Sequence, residues 1–186
     1  MAAGVVGRFQ DPPLSGGSIC QVADVLGRAG CDDPCMTELT NPATRNHPSF
    51  DRAQAALDAA RLGDYGPTFE ALAEEVILEN GPGAGPWRVA RGKADMGLLL
   101  LEFSAALGNT FRQDGRCVYA DDRVAINLIH ETGQGPDGDQ FDNLAVYVCR
   151  LRPDGQTDRM WTVDLDTEHC EEFWRRNQGK PSKDFR

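Results

Sequence analysis

Gln140 to Trp174 reads QFDNLAVYVCRLRPDGQTDRMWTVDLDTEHCEEFW, and this stretch decides the fold. Two strand-length runs, Leu144 to Leu151 and Arg159 to Leu165, flank the turn-rich Arg152-Pro153-Asp154-Gly155-Gln156. Proline presets one backbone dihedral and glycine supplies a positive one, so the two runs form a β-hairpin. Side chains alternate along a strand, which puts Asn143, Ala145, Tyr147, Cys149 and Leu151 on one face. An acidic and aromatic tail, Asp166 to Trp174, follows as a turn capped by Asp166.

Working back along the chain, Arg116 to Ala120 and Arg123 to Thr132 make an earlier hairpin about the Asp121-Asp122 turn. In its second strand Val124, Ile126, Leu128 and His130 share one face; Ala125, Asn127, Ile129 and Glu131 share the other. Gly92 to Leu107 is a long helix whose core face is Met96, Leu99, Leu100, Phe103 and Leu107. Leu98 and Leu101 widen that face beyond what a surface helix needs, which places it between layers or at a subunit contact. Gly81-Pro-Gly-Ala-Gly-Pro86 cannot be regular structure, and it separates two short strands, Val76 to Asn80 and Trp87 to Ala90. Ahead of these, Ser49 caps a helix with Phe50, Ala53, Leu57 and Ala60 in one stripe, ending at Gly63-Asp64. A second short helix starts near Thr68, with Phe69, Leu72 and Ala73 on one side.

Helices followed by a run of strands are the signature of an α+β fold. The expected architecture is an antiparallel sheet wrapped over helices, leaving a conical, mostly apolar hollow. Residues 1 to 46 form an extension with one amphipathic helix, Ser18 to Ala29; residues 47 to 176 form the main body; 177 to 186 form a flexible tail.

Composition narrows the function. A formal net charge of −10 over 186 residues argues against binding nucleic acid or an anionic membrane, since both need clustered Lys and Arg. No run approaches the ~20 apolar residues of a membrane span, and the N-terminus lacks the pattern of a signal peptide, so a cytoplasmic location is expected. Six cysteines and three scattered histidines include no zinc-ligand spacing, Cys31 and Cys35 having no second pair, and no metal or cofactor is expected. Cys20, Cys31 and Cys35 cluster near the N-terminus and are read, like Cys117, Cys149 and Cys170, as buried or incidental thiols. No Lys-Ser or Lys-Thr follows the glycine-rich loop, which is therefore not a phosphate loop.

In their order and spacing, these pieces resemble the nuclear transport factor 2-like superfamily, and within it the SnoaL-like and ketosteroid-isomerase-like proteins. The resemblance covers about residues 47 to 175. It is carried by Leu-Gly-Asp-Tyr65, the glycine-rich loop with Trp87, Arg-Gly-Lys-Ala94, Gly-Asn-Thr-Phe111 and Tyr-Ala-Asp-Asp122. Further carriers are Val-Cys-Arg-Leu-Arg-Pro-Asp-Gly155 running into Met-Trp161, then Asp166 with Glu-Glu-Phe-Trp174. It implies a cystatin-like cone, a homodimer, and a small apolar or polycyclic molecule in the hollow.

For the isomerases of that superfamily the resemblance implies an Asp base, a Tyr donor on the first helix and an acidic donor on a strand. Those positions fall on Asn80, Ala56 and Tyr147. Asparagine cannot accept the proton and alanine has no donor, so steroid isomerisation is disfavoured. For the cyclases and epoxide hydrolases the resemblance implies polar groups on the later strands. Tyr147, Asn143, His130 and Asp142 are the catalytic candidates, with Tyr147 and Asn143 pointing the same way. Asn80, Trp87, Phe103, Asn127, Trp161 and Asp166 are the ligand-binding candidates. The expected function is acid–base cyclase, isomerase, dehydratase or epoxide-hydrolase chemistry without a cofactor. The alternatives are a noncatalytic ligand-binding or scaffold protein and a protein–protein module.

Overall fold

The computed structural model describes residues 46 to 177, all within the compact unit Leu39–Arg186. The helix expected at Ser18 to Ala29 and the cluster Cys20, Cys31 and Cys35 lie outside the described residues, as does the tail beyond Asn177.

Helix α1 spans Pro48–Arg61 and α2 spans Gly66–Glu70. Strand β1 (Leu72–Glu79), a 3-10 turn (Pro82–Ala84) and β2 (Val89–Arg91) lead into α3 (Lys93–Ala106). Strands β3 (Arg112–Ala120), β4 (Val124–Gln134), β5 (Gln140–Leu151) and β6 (Thr157–Asp164) follow, and α4 (Thr167–Asn177) closes the described chain. The fold is α+β, as expected.

The open six-stranded sheet has the order β2-β1-β6-β5-β4-β3. Its pairings are antiparallel except one: β1 runs parallel to β6, with Leu78 beside Met160 and Glu79 beside Trp161. The sheet is therefore mixed rather than wholly antiparallel. That pairing also explains why Leu72 and Ala73 belong to a strand and not to the second helix. The helix stops at Glu70, and Thr157 N–H donates to the Ala71 carbonyl at 2.8 Å, starting the β1–β6 ladder at once.

Two local details differ from the sequence reading. His47, not Ser49, caps α1: its Nδ1 accepts from Ser49 N–H at 3.2 Å, while Pro48 takes the first helical position, where no N–H is needed. The C-terminal tail is a helix rather than a turn. Asp166 Oδ1 accepts from His169 N–H at 3.0 Å and caps it, and Asp166 is not part of the cavity wall. The β5–β6 hairpin turns as read, with Gly155 at φ 82° and Arg152 N–H donating to the Gln156 carbonyl at 2.8 Å.

Between α3, α4 and the inner sheet face lies an aromatic cluster. Phe103 of α3 contacts Trp87, Phe111, Phe141 and Trp174 at ring-centroid distances of 5.0 to 5.7 Å, and Trp174 stacks edge-on to Phe173 at 4.9 Å. Such pairs contribute about 0.5–1.5 kcal/mol each beyond simple burial. Leu99 and Phe103 of α3 are buried, and Leu98 packs against the same core; Leu101 points away and is 70 % exposed. None of the described helices is long and apolar enough to cross a membrane.

Candidate active site

The α1, α2 and α3 helices and the inner sheet face line a partly open cavity of about 530 Å³, with α1 packed on β3, where Cys117 N–H donates to Gln54 Oε1 at 3.0 Å. Its walls are largely apolar: Leu57 from α1, Phe69 from α2, Leu99 and Phe103 from α3, and Ile129 and Met160 from the sheet. One patch of wall is polar. It is built by β3 to β6, whose register sets Glu131 between Gln113 and Asn143, and Tyr147 between Asn127 and Thr162. Directly opposed side chains on one sheet face are within contact distance, so this register gathers the polar groups without any loop.

Glu131 is the centre of the patch. It is only 6 % exposed, yet it forms no ion pair among the described residues. Its carboxylate is held by neutral donors instead. Tyr147 Oη donates to Oε1 at 2.6 Å, Gln113 Nε2 to Oε1 at 2.9 Å, and Asn143 Nδ2 to Oε2 at 3.0 Å. Burial pushes the carboxyl above the ordinary carboxylate range and outweighs the lowering by Tyr147, Gln113 and Asn143. Tyr147 is pushed well above the usual phenol value, first by burial and then by the Glu131 charge, so it stays a hydrogen-bond donor. Tyr65, at the α1–α2 turn, also lines the cavity; burial and then Glu131 raise it too.

Asp164 is the second carboxylate in the wall. Asn143 Nδ2 donates to its Oδ1 at 2.9 Å, so one amide group ties Glu131 to Asp164. Gly83 N–H donates to Asp164 Oδ2 at 2.6 Å. The glycine-rich loop has its physical reason here. A Cβ on Gly81 or Gly83 would collide with the Asp164 carboxyl, and one on Gly85, at φ 58°, would press into the Trp174 indole. Trp174 Nε1–H donates to the Gly83 carbonyl at 2.5 Å and fixes the turn from behind.

The sequence candidates divide by strand face. Tyr147, Asn127, Asn80 and Phe103 line the cavity. Asn143 shares their face but sits behind the two carboxylates, 1 % exposed, so it bridges them rather than pointing into the hollow. Asn80 is fully engaged: its Nδ2 donates to the Trp87 carbonyl at 2.8 Å and its Oδ1 accepts from Thr162 Oγ1 at 3.1 Å. His130 and Asp142 lie on the opposite face of the sheet, where they pair with each other at 2.8 Å. They are no part of this cluster, because alternation turns them outward. Trp161 also faces out, with the Arg159 guanidinium 5.2 Å from its ring centroid. Trp87 is core rather than cavity wall; its Nε1–H donates to Glu102 at 3.3 Å.

Glu131, Asp164, Gln113 and Tyr65 were not among the sequence candidates. The available signal was the alternation that placed Glu131 on one face with Asn127. Burial pushes the Cys149 thiol up to about 12, so at neutral pH it is a filler and not a nucleophile. Among the described residues, no group of three or more His, Cys, Asp and Glu is placed to hold a metal ion.

No family model matches the chain, and no curated protein does. Solved structures do. A protein from Xanthomonas campestris, described as having a cystatin-like fold, superposes with a TM-score of 0.57 at 20 % identity, covering 68 % of this chain and 97 % of that one. An NTF2-like protein from Burkholderia pseudomallei gives 0.51 at 16 % identity over 68 % and 95 %. The fold is NTF2-like. IdmH from Streptomyces antibioticus, described as a candidate polyketide cyclase, superposes with a TM-score of 0.53 at 16 % identity over 68 % of this chain and 99 % of that one.

Proposed function

We propose that this NTF2-like protein binds a small, largely apolar molecule in its cavity and moves a proton on it, with Glu131 as the acid–base group. One observation carries the reading: a buried carboxylate in an otherwise apolar cavity wall, held by three neutral donors and by no cation. A cation would hold Glu131 permanently ionised and weakly basic. Neutral donors in a dry wall leave it a stronger base, closer to the pH at which proton transfer is efficient. Tyr147, protonated throughout, supplies the donor that the carboxylate leans on and that a developing oxyanion can share. Cyclisation, isomerisation, dehydration and epoxide opening all use this pairing of an acid–base carboxyl with a donor. The candidate activity of IdmH supports that class.

Kemp elimination of nitrobenzisoxazole tests the base without knowledge of the natural substrate, because removal of a proton from carbon limits its rate. Glu131→Gln should lower that rate by about 10²-fold or more, the usual worth of a positioned base. An unchanged rate in a folded variant would remove Glu131 from the mechanism.

A noncatalytic binding protein is the second reading, favoured by the fact that the Glu131 carboxylate already accepts bonds at both oxygens. Ligand binding with no base activity in the wild type would select it. We further propose that the partner is a second copy of the chain, since Leu101 and Val163 remain 70 % and 53 % exposed. A stable monomer in sedimentation at micromolar concentration would sink that proposal.

A further inference from the structure

The polar wall spends its donors within the protein. Tyr147 Oη and Gln113 Nε2 donate to Glu131, Asn143 Nδ2 to Glu131 and Asp164, and Asn80 Nδ2 to the Trp87 carbonyl. The Tyr65 hydroxyl takes part in none of these bonds, and it reaches the same end of the cavity from the helical side. Helix α1 runs back along β3, with Gln54 bonded at Cys117 and Leu57 seated against Gly115, so the chain beyond Gly63 arrives over Gln113 and its partner Glu131. In keeping with that placement, the charges of Glu131 and Arg112 both act on the Tyr65 phenol. The backbone around it is braced: Asp64 Oδ1 accepts from Gly66 N–H at 2.9 Å, and the Tyr65 carbonyl accepts from Phe69 N–H at 3.0 Å. Tyr65 is half-buried and lines the cavity. A hydroxyl so placed holds water while the cavity is empty, and it can trade that water for a ligand oxygen that accepts the same bond.

Resting on the proposed ligand cavity and base, we propose that Tyr65 is a specificity residue whose hydroxyl donates to a carbonyl oxygen, and that the ligand is an apolar ketone. The chemistry of the base points to the same class. A carboxylate is a weak base, and the C–H it can deprotonate is one that a neighbouring carbonyl acidifies; the oxygen of that carbonyl then needs a donor. Tyr147 meets the cavity with its proton already given to Glu131 at 2.6 Å. Tyr65 brings a second phenol from the helical wall, and its proton is not spent on the carboxylates. Burial first, and then the Glu131 charge, raise its pKa, so at neutral pH it keeps the proton and acts as a donor. A hydrocarbon of the same shape would fill the apolar walls and leave this phenol to water.

The test compares acetylnaphthalene with isopropenylnaphthalene, two probes of near-equal shape that differ in having or lacking the carbonyl oxygen. Tyr65→Phe removes only the hydroxyl. It should weaken acetylnaphthalene binding about fivefold to tenfold, the worth of one net hydrogen bond, and leave isopropenylnaphthalene within about twofold, which also shows the cavity intact. The carbonyl stretching band of bound acetylnaphthalene should move to higher frequency in the variant, since a hydrogen bond lowers it. A tyrosine that only packs would leave that band in place. Equal change in both probes, or none, makes Tyr65 a packing residue and overturns the inference. A loss confined to the ketone in Tyr147→Phe but absent in Tyr65→Phe gives the bond to Tyr147 and overturns it equally. Both results leave the ligand cavity standing; failure of the wild type to bind either probe defeats the cavity as well.

Discussion

The two faces of strands β4 and β5 carry the same kinds of residue in opposite circumstances. Outside, His130 and Asp142 pair at 2.8 Å in contact with solvent, and Arg150 and Asp158 pair at 2.7 Å at the other end of the strands. Inside, one residue along from His130, Glu131 lies buried among neutral donors. A charge that is paired and wet does little work, because water and counter-ions screen it. A charge that is unpaired and dry keeps its basicity. The difference is made by a single step along a strand, since the side-chain period is two.

That contrast can be broken most decisively by rate. Glu131→Gln should cost about 10²-fold or more in Kemp elimination, whereas His130→Gln should change it by less than about twofold. Comparable losses from both would show that the inner face has no privileged chemistry.

A steric version of the same contrast uses glycines. Gly83→Ala forces the loop off Asp164 and should lower the unfolding free energy in urea by about 1–3 kcal/mol. Gly63→Ala, on the exposed α1–α2 turn at φ 86° with open space around its Cβ, should cost only the backbone strain of about 1–2 kcal/mol. The inner substitution should also lower the Kemp elimination rate, and the outer one should leave it unchanged.

The next effect is one of pH. Glu131 has its folded pKa raised above the unfolded value, so the folded state holds its proton longer than the unfolded chain. Stability from this group is therefore greatest below the ordinary carboxylate range and falls as pH rises through the raised folded value. Asp158, lowered chiefly by its bond from Arg150, acts in the opposite sense, gaining stability above its unfolded pKa. Subtracting the stability curve of Glu131→Gln from that of the wild type isolates the inner group. The difference should move against the wild type as pH increases, and a flat difference would mean the carboxyl is not strained by burial. Smallest of all, His130→Gln should shift the unfolding free energy by less than about 1 kcal/mol at neutral pH, as expected for a solvent-exposed pair.

Much of this arrangement was legible in the chain before any coordinates. The Pro-Asp-Gly turn announced the β5–β6 hairpin, and the apolar spacing of Leu99 and Phe103 announced α3. Strand alternation grouped Asn143, Tyr147 and Cys149 on one face of β5, and Asn127 with Glu131 on one face of β4; the register makes these the same face of the sheet. What alternation cannot say is which face looks inward when both carry polar and apolar residues, and that is why His130 was singled out and Glu131 was not. A lone Glu in a strand reads as a solvated side chain. It becomes something else only when Gln113, Asn143 and Tyr147 arrive from neighbouring strands. The parallel β1–β6 pairing and the Gly83–Asp164 contact join residues about 80 positions apart, beyond the reach of any local periodicity. Asp164 and Asp166 differ by two positions, yet one accepts bonds from a loop and an amide while the other caps a helix.

The indole of Trp174 holding the Gly83 carbonyl has a consequence for the order in which this molecule is made. Every residue of the cavity wall is synthesised before Trp174. The nascent chain thus carries all of its chemical groups while the glycine turn that seats Asp164 still lacks its backstop. The chamber is therefore expected to reach working geometry only after α4, the last described helix, has left the ribosome and docked. A chain stalled short of that helix should be present without being competent.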